Sequence, residues 1–336
     1  MKVLTFGEML LRLTTDPTVR LQQTNQFTFY YGGAEANVAV SLANFGVETS
    51  YISKVPDNTI GEACEKYLQS YRINTGNLLK GGERLGLYYV ESGIGNRSSQ
   101  VTYDRKFSSF SQLQKDELDW DRILEGIDLF HTTGITLALS KELQEITLFA
   151  MKQAKQRGIK VSFDFNFRSK LWSQKEASEA IVKVLPYVDI AFCNHMDAVY
   201  LLHIDPLKEE GNHQQKLKYY YEEIQKRYPG ITTFASTKRE VKTSSEHKLE
   251  GYIFTNQELV KTDSYHIDPV IDRIGGGDAY AAGILFGVMN KWNPDKIVNF
   301  ATAASVLKHT ITGDANAFSA AEVEQFMQSL NQEISR

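Results

Sequence analysis

The segment Asp272-Arg273-Ile274-Gly275-Gly276-Gly277-Asp278, running into Ala279-Tyr280-Ala281-Ala282-Gly283, combines residue types that can hold an anion with one that can move a proton beside it. Glycines let a backbone approach a ligand closely and take dihedrals that other residues avoid. The apolar run from Ala279 to Met289 predicts a buried helix. Gly275, Gly276 and Gly277 then sit where unpaired N–H groups and the positive end of the helix dipole converge. Asp278 falls in the first turn. A carboxylate beside a phosphate cradle works against simple anion binding, but it suits a general base that deprotonates a hydroxyl attacking a phosphoryl group. Taken alone, the same residues also describe an ordinary helix start with an acidic first turn, worth under about 1 kcal/mol.

A second glycine pair, in Gly32-Gly33-Ala34-Glu35-Ala36-Asn37, ends a strand pattern and opens a helix, with Asn37 one turn in. By itself it reads as a strand-to-helix turn. Other phosphate-binding patterns are absent: no G-x-x-x-x-G-K-[ST] occurs, and Gly275 to Gly277 does not continue as G-x-G-x-x-G. The preceding Ile267 to Ile274 holds Pro269 and three charged residues, unlike a central strand.

The elements that must position these residues alternate along most of the chain. Strand patterns occupy Lys2 to Gly7, Thr49 to Lys54, Asp128 to His131, Lys160 to Phe163, Val188 to Phe192 and Ile231 to Ala235. Helix patterns lie between them, including Ala34 to Phe45 and a Ser-capped stretch from Ser140 to about Arg157. This alternation predicts a doubly wound α/β fold, a mostly parallel sheet with helices on both faces. Two regions break it. Leu10 to Thr14 and Gln26 to Tyr31 read as strands with no helix between them. Gly86 to Glu91 and Gln100 to Arg105 read as a hairpin turned at Gly93, Gly95 and Asn96. These four strands predict a small sheet standing off the core, too small to be stable alone.

The chain's 336 residues suffice for one large domain. Hydrophobic residues at 42% and charged residues at 23% match an ordinary globular protein. A formal charge of −4 and a pI near 6.0 exclude bulk electrostatic attraction to nucleic acid or an anionic membrane. Two cysteines, Cys64 and Cys193, imply no disulfide framework and a reducing cytoplasm. The N-terminus enters a strand pattern at once, unlike a signal peptide, and no window nears the roughly 20 apolar residues of a membrane span. The seven histidines show no metal-ligand spacing. The most polar stretch, Lys208 to Lys216, reads as a loop and helix start.

Together, Gly-Gly-Ala-x-Ala-Asn near one end and Asp-x-x-Gly-Gly-Gly-Asp-Ala near the other resemble the two marks of the ribokinase-like (PfkB) carbohydrate kinases. The resemblance spans essentially the whole chain. It implies one kinase domain over 1–336 with a discontinuous β lid at about 10–31 and 84–110. Within that family the chain is most similar to 2-keto-3-deoxygluconate kinases, through Tyr103-Asp104-Arg105, Asp164-Phe165-Asn166-Phe167-Arg168 with Leu171-Trp172, and Ser236-Thr237-Lys238-Arg239-Glu240. A sugar acid carries a carboxylate, which a guanidinium matches bidentately. Arg105 and Arg168 follow separate strands and are expected to converge on one cleft; a surface ion pair is the ordinary alternative for each.

By resemblance, Asp278 is the base and Gly275, Gly276 and Gly277 the anion hole. Gly33, Asn37, Tyr88, Tyr103, Arg105, Arg168 and Asp314 would contact the sugar acid. Tyr88 and Tyr103 also read as lid-core aromatics. Asn166, Arg168, Asn194, Ser236, Thr237, Arg239, Gly275 and Gly277 would contact ATP. Asp197 stands where relatives carry Glu and would act on Mg²⁺ through water. Arg273 replaces the threonine usual after Asp272 and either touches phosphate or faces solvent. The implied cofactors are ATP and Mg²⁺, with K⁺ near Asp272 in some relatives. The exposed edges of the lid point to a homodimer formed through it. The implied reaction is ATP-dependent phosphorylation of 2-keto-3-deoxygluconate at O6. The rival readings are a fructokinase or ribokinase, a non-catalytic sugar- or nucleotide-binding protein of the same fold, and a nicotinamide-dependent dehydrogenase, against which the missing glycine fingerprint argues.

Overall fold

The computed structural model describes residues 1–207 and 211–329. Of the polar stretch 208–216, residues 208–210 lie outside the described residues. In chain order the elements are β1 (Lys2–Phe6), β2 (Leu10–Thr14), β3 (Thr28–Gly32), α1 (Ala34–Asn44), β4 (Glu48–Val55), α2 (Thr59–Ser70), β5 (Leu78–Lys80), β6 (Gly86–Glu91) and β7 (Gln100–Asp104). They continue with α3 (Trp120–Ile123), β8 (Leu129–Thr133), α4 (Gly134–Leu139), α5 (Lys141–Gln156), β9 (Lys160–Asp164), α6 (Gln174–Val184), β10 (Ile190–Phe192), α7 (His195–Tyr200) and α8 (His213–Arg227). The last are β11 (Thr233–Thr243), β12 (Glu246–Thr255), β13 (Glu258–Lys261), β14 (Tyr265–Ile267), α9 (Gly276–Met289), α10 (Pro294–Lys308) and α11 (Ala320–Ser329).

Ten strands form the main sheet, in the order β13-β12-β11-β10-β9-β8-β1-β4-β5, with β14 also paired to β12. From β11 through β5 every neighbouring pair is parallel. Successive side chains of a strand point to opposite faces. Accordingly Leu4, Phe6 and Phe130 join the core under α5, α6 and α8, while Val3 and Leu129 join the core under α1, α9 and α10. The chain grows from β1 to β4 on one side and returns to place β8 on the other. That reversal opens a crevice at the carboxyl ends of β1 and β8, the usual place for a ligand in such a sheet.

The four strands expected to stand apart form a second sheet, ordered β3-β2-β6-β7. Its central pair, β2 with β6, is parallel, and the outer pairs are antiparallel. Leu10, Arg12 and Thr14 of β2 and Tyr88 and Val90 of β6 are buried, so one face of this sheet packs inward.

One strand differs from expectation. β11 does not stop at Ala235 but runs to Thr243 and pairs with β12 as a long antiparallel hairpin. Thr237, Val241 and Thr243 carry the branched side chains that favour a pleated strand. Ser236 to Arg239 therefore lie within a strand rather than after one. Among the described residues, no helix is long and apolar enough to cross a membrane.

Candidate active site

A cleft of about 470 Å³ lies between the small sheet and the carboxyl ends of the main-sheet strands. Leu10, Tyr88, Val101, Tyr103 and Arg105 wall one side; Gly33, Asn37, Asp164, Asn166, Arg168 and the start of α9 wall the other.

The start of α9 fits the anion-hole expectation with one change. Gly275, the N-cap, has φ 80°, and a Cβ there would drive into the carbonyl of Asp314. Only glycine takes that turn without strain. The Gly276 N–H turns back to the Arg273 carbonyl at 3.3 Å, and Gly276 does not line the cleft. The N–H groups of Gly275 and Gly277 have no backbone acceptor among the described residues, and both glycines line the cleft. Two of the three glycines thus present N–H groups to the cleft without a backbone acceptor, because the helical turn itself uses the middle one.

Asp278 follows in the first turn and accepts a hydrogen bond from Asn37 Nδ2 at 2.7 Å. Asn37 is carried by α1, whose start is set by Gly33 at φ 151°. A side chain at Gly33 would collide with the Glu8 carbonyl. The two glycine motifs thus meet at one carboxylate. Desolvation pushes the Asp278 carboxyl up to about 7, against the pull of Asn37 and Arg168. Asp164, at the end of β9, is likewise raised to about 7, by desolvation and then by Asp278 itself. Two neighbouring carboxyls resist joint ionisation, which keeps a proton acceptor poised near neutrality.

Asp164 was not foreseen as a site residue, although it begins the segment that supplies Asn166 and Arg168. Its carboxylate accepts from the Asn166 N–H at 2.9 Å and shapes a turn in which Asn166 has φ 40°. This turn carries Arg168 into the cleft. Arg168, Arg239 and Arg273 all line the cleft, and none has a carboxylate within ion-pair distance among the described residues. Desolvation and the charge of Arg273 hold the Arg239 guanidinium below its usual value. Three unpaired guanidiniums facing one cleft make a site for an anionic ligand.

Arg105 behaves differently from the expected free clamp. Its Nε donates to Glu8 Oε2 at 2.7 Å, Nη2 bonds the same oxygen, and Ser108 Oγ donates to the other. The pair is nearly withdrawn from solvent, at 6% and 1% exposure. Arg105 still borders the cleft, but Glu8 already holds its charge.

Asp314 also has partners. It accepts from Arg12 at 2.9 Å and from the Tyr88 hydroxyl, while Arg12 donates to Asp272 at 2.6 Å. Burial pushes the Asp314 carboxyl up and Arg12 opposes it. Arg12, which the sequence reading passed over, ties the small sheet to the loop before α9. Its only signal was a charged residue at an inward position of an otherwise apolar strand.

The remaining expected nucleotide contacts lie outside the cleft walls. Asn194 caps α7, accepting from Met196 N at 2.7 Å, and Asp197 completes the box by accepting from Asn194 N at 2.8 Å. Burial raises the Asp197 carboxyl to about 6. The Ser236 hydroxyl pairs with Tyr221 at 2.8 Å, and Thr237 is the next residue of β11. No cluster of three metal-ligating side chains exists among the described residues. Mg²⁺ does not require such a cluster: it typically takes one or two carboxylates and completes its shell with substrate phosphates and water.

The profile of the pfkB family of carbohydrate kinases matches residues 1–321, and the chain belongs to that family. It is 29% identical to the 2-dehydro-3-deoxygalactonokinase of Haloferax volcanii, over 100% of this chain and 99% of that one. A PfkB family carbohydrate kinase from Listeria grayi shares 40% identity and a TM-score of 0.93, over 98% of this chain and 100% of that one. The 2-dehydro-3-deoxygluconokinase of Thermotoga maritima shares 36% identity and the same TM-score of 0.93, over 98% of each chain. The fold is therefore ribokinase-like, and the protein is a carbohydrate kinase.

Proposed function

We propose that this kinase transfers the γ-phosphoryl group of ATP to the 6-hydroxyl of 2-keto-3-deoxygluconate, giving 2-keto-3-deoxy-6-phosphogluconate. The observation that carries the reading is a first-turn carboxylate and two glycine N–H groups in one cleft with guanidiniums that no carboxylate among the described residues neutralises. The similarity to proteins named for 2-dehydro-3-deoxy sugar acids supports the substrate class.

In this reading the sugar acid lies between the two sheets, bordered by Gly33, Tyr88, Tyr103 and Asp314. Asn37 holds the Asp278 carboxylate toward the hydroxyl, and Asp278 takes its proton as the phosphoryl group arrives. The N–H groups of Gly275 and Gly277 receive the charge that builds on the transferring phosphoryl oxygens. Arg168 serves the substrate carboxylate, with Arg105 as a neutralised neighbour that shapes the pocket. Arg239 and Arg273 meet the triphosphate, with Asn166, Asn194, Ser236 and Thr237 along its path. Asp197 and Asp164 would hold Mg²⁺, directly or through water; the ion neutralises phosphate charge when bound. Closure of the small sheet would exclude water and suppress idle hydrolysis.

The outer face of the small sheet supports a homodimer. Leu11, Leu13, Leu87 and Tyr89 share that face, and Phe29, in register with Leu13, is 57% exposed. An apolar sheet face of this kind suits a second copy. Buried, unpaired Cys64 and Cys193 suit the reducing, ATP-supplied cytoplasm.

The test is sugar-dependent ADP release across gluconate- and galactonate-derived 2-keto-3-deoxy acids, fructose and ribose. Selective turnover of the acids is expected. Faster turnover of a neutral sugar would return the reading to a fructokinase or ribokinase.

A further inference from the structure

Among the described residues, Lys308 is the only lysine wholly withdrawn from solvent, at 0% exposure. A buried ion is expensive unless its surroundings replace water. Lys308 is the last residue of α10, does not line the cleft, and has no carboxylate within ion-pair distance among the described residues. Nothing in the proposed chemistry uses it.

Its ammonium donates to two backbone carbonyls. Nζ donates to the carbonyl of Asp272 at 3.4 Å and to that of Ile311 at 3.3 Å. These carbonyls open the two segments that frame the anion hole. The first, from Asp272, leads to Gly275 and the start of α9. The second, from Ile311, leads to Asp314, whose carbonyl is the surface against which Gly275 turns. Other bonds join the same segments: the Gly313 N–H donates to the Asp272 carboxylate at 3.2 Å, and the Ile274 N–H to its other oxygen at 3.0 Å. Asp272 and Asp314 bring two negative charges to this region, and Arg12 supplies one positive charge against both. Lys308 supplies the other, so the buried group is balanced only with it in place.

We propose that Lys308 is a positioning residue, a tethered cation that fixes the two segments so that the Gly275 and Gly277 N–H groups converge on the transferring phosphoryl group. An ammonium held between two carbonyl oxygens does the work of a bound monovalent cation, since both replace hydration with carbonyl dipoles. A covalently attached ion cannot dissociate. The anion hole is therefore assembled without added K⁺ or ammonium. The inference rests on the kinase reading above.

Two measurements test it, and ATP binding by calorimetry provides a readout independent of which sugar is the substrate. Wild-type ATP affinity and sugar-dependent kcat should be equal in K⁺ and in tetramethylammonium buffers. Several-fold stimulation by K⁺ would overturn the proposal without any variant being made. In Lys308→Ala, kcat should fall by about 10²-fold, the scale of a misplacement near 1 Å, and ATP should bind more weakly. K⁺ or ammonium, but not tetramethylammonium, should restore both. A folded variant with a lowered Tm but unchanged kcat and ATP affinity, or one that no small cation restores, overturns the assignment. Absence of sugar-acid turnover in the wild type would instead remove the substrate reading, while the ATP-binding arm would still judge Lys308.

Discussion

The charge state of individual side chains separates residues that look alike in the sequence. Asp278 holds its one hydrogen bond from Asn37 and is raised to about 7. Asp278→Asn should retain ATP and sugar-acid binding but lose about 10²–10⁴-fold in kcat, as measured by coupled ADP release. Near-normal turnover would remove the base assignment. As a base works only when ionised, kcat/KM should climb as pH rises toward and through about 7, and Asp278→Asn should lose that limb. The stability effect has the opposite sense. A folded-state value above the ordinary carboxylate range favours the native state below about pH 4, and that contribution is lost as pH rises through about 7. The ligand-free protein should therefore have a lower Tm at pH 8 than at pH 5, with a smaller difference in Asp278→Asn. The two arginines divide in the same way. Arg105→Ala strands the buried Glu8 carboxylate and should cost about 3–5 kcal/mol, read as a large drop in Tm. Arg168→Ala breaks no ion pair among the described residues, although it removes a charge that opposes the rise of Asp278 and Asp164; it should raise KM for the sugar acid while Tm falls far less than in Arg105→Ala. A reversed pattern would return the carboxylate clamp to Arg105.

Elements enter through the ends they present. α9 is apolar nearly throughout, so it is buried, and its start becomes a floor for the cleft. That start depends on one left-handed residue. Gly275→Ala places a Cβ against the Asp314 carbonyl in a conformation that L-residues avoid, so the turn must open. We expect kcat to fall further than the Tm does, because the N–H groups of Gly275 and Gly277 move while the rest of α9 stays packed. A variant with full kcat would show that the hole does not depend on this turn. The glycine motif, the capped helix α5 and the central strands were all legible because capping, turn chemistry and hydrophobic alternation are local. The extension of β11 was not. Ser236 to Arg239 carry polar and charged groups, and the pairing of β11 with β12 through Thr243 makes them a strand. Residues expected to follow the strand and contact ATP became strand residues for that reason.

At the scale of the whole molecule, the small sheet has two faces with different tasks. Its inner face contributes Tyr88, Tyr103 and Leu10 to the cleft, and its outer face leaves Phe29 exposed among other apolar side chains. If two copies cover that outer face, Phe29→Asp should shift the protein toward monomer in light scattering. Sugar-acid KM should rise as the small sheet loses its support, with ATP affinity little changed. A wild type that is monomeric at micromolar concentration would remove the dimer. The link from Arg12 to Asp272 and Asp314 couples this sheet to the loop before α9, so its placement and that of the Gly275 turn are not independent.

The chain's sequence alone determined the doubly wound α/β class, the off-core strands, and the family, since periodicity and two glycine motifs are short-range properties that survive without coordinates. It also pointed to Asp278 as the candidate base, because the two glycine motifs together place a first-turn carboxylate where a phosphate is expected. Only the tertiary structure decided which charges remain free. Glu8 lies 97 positions from Arg105, Asn37 lies 241 from Asp278, and Arg12 lies 302 from Asp314. Whether a guanidinium clamps a substrate or neutralises a buried carboxylate depends on what stands within a few ångströms. Chain folding brings those groups together across most of the sequence, and no local pattern records the meeting.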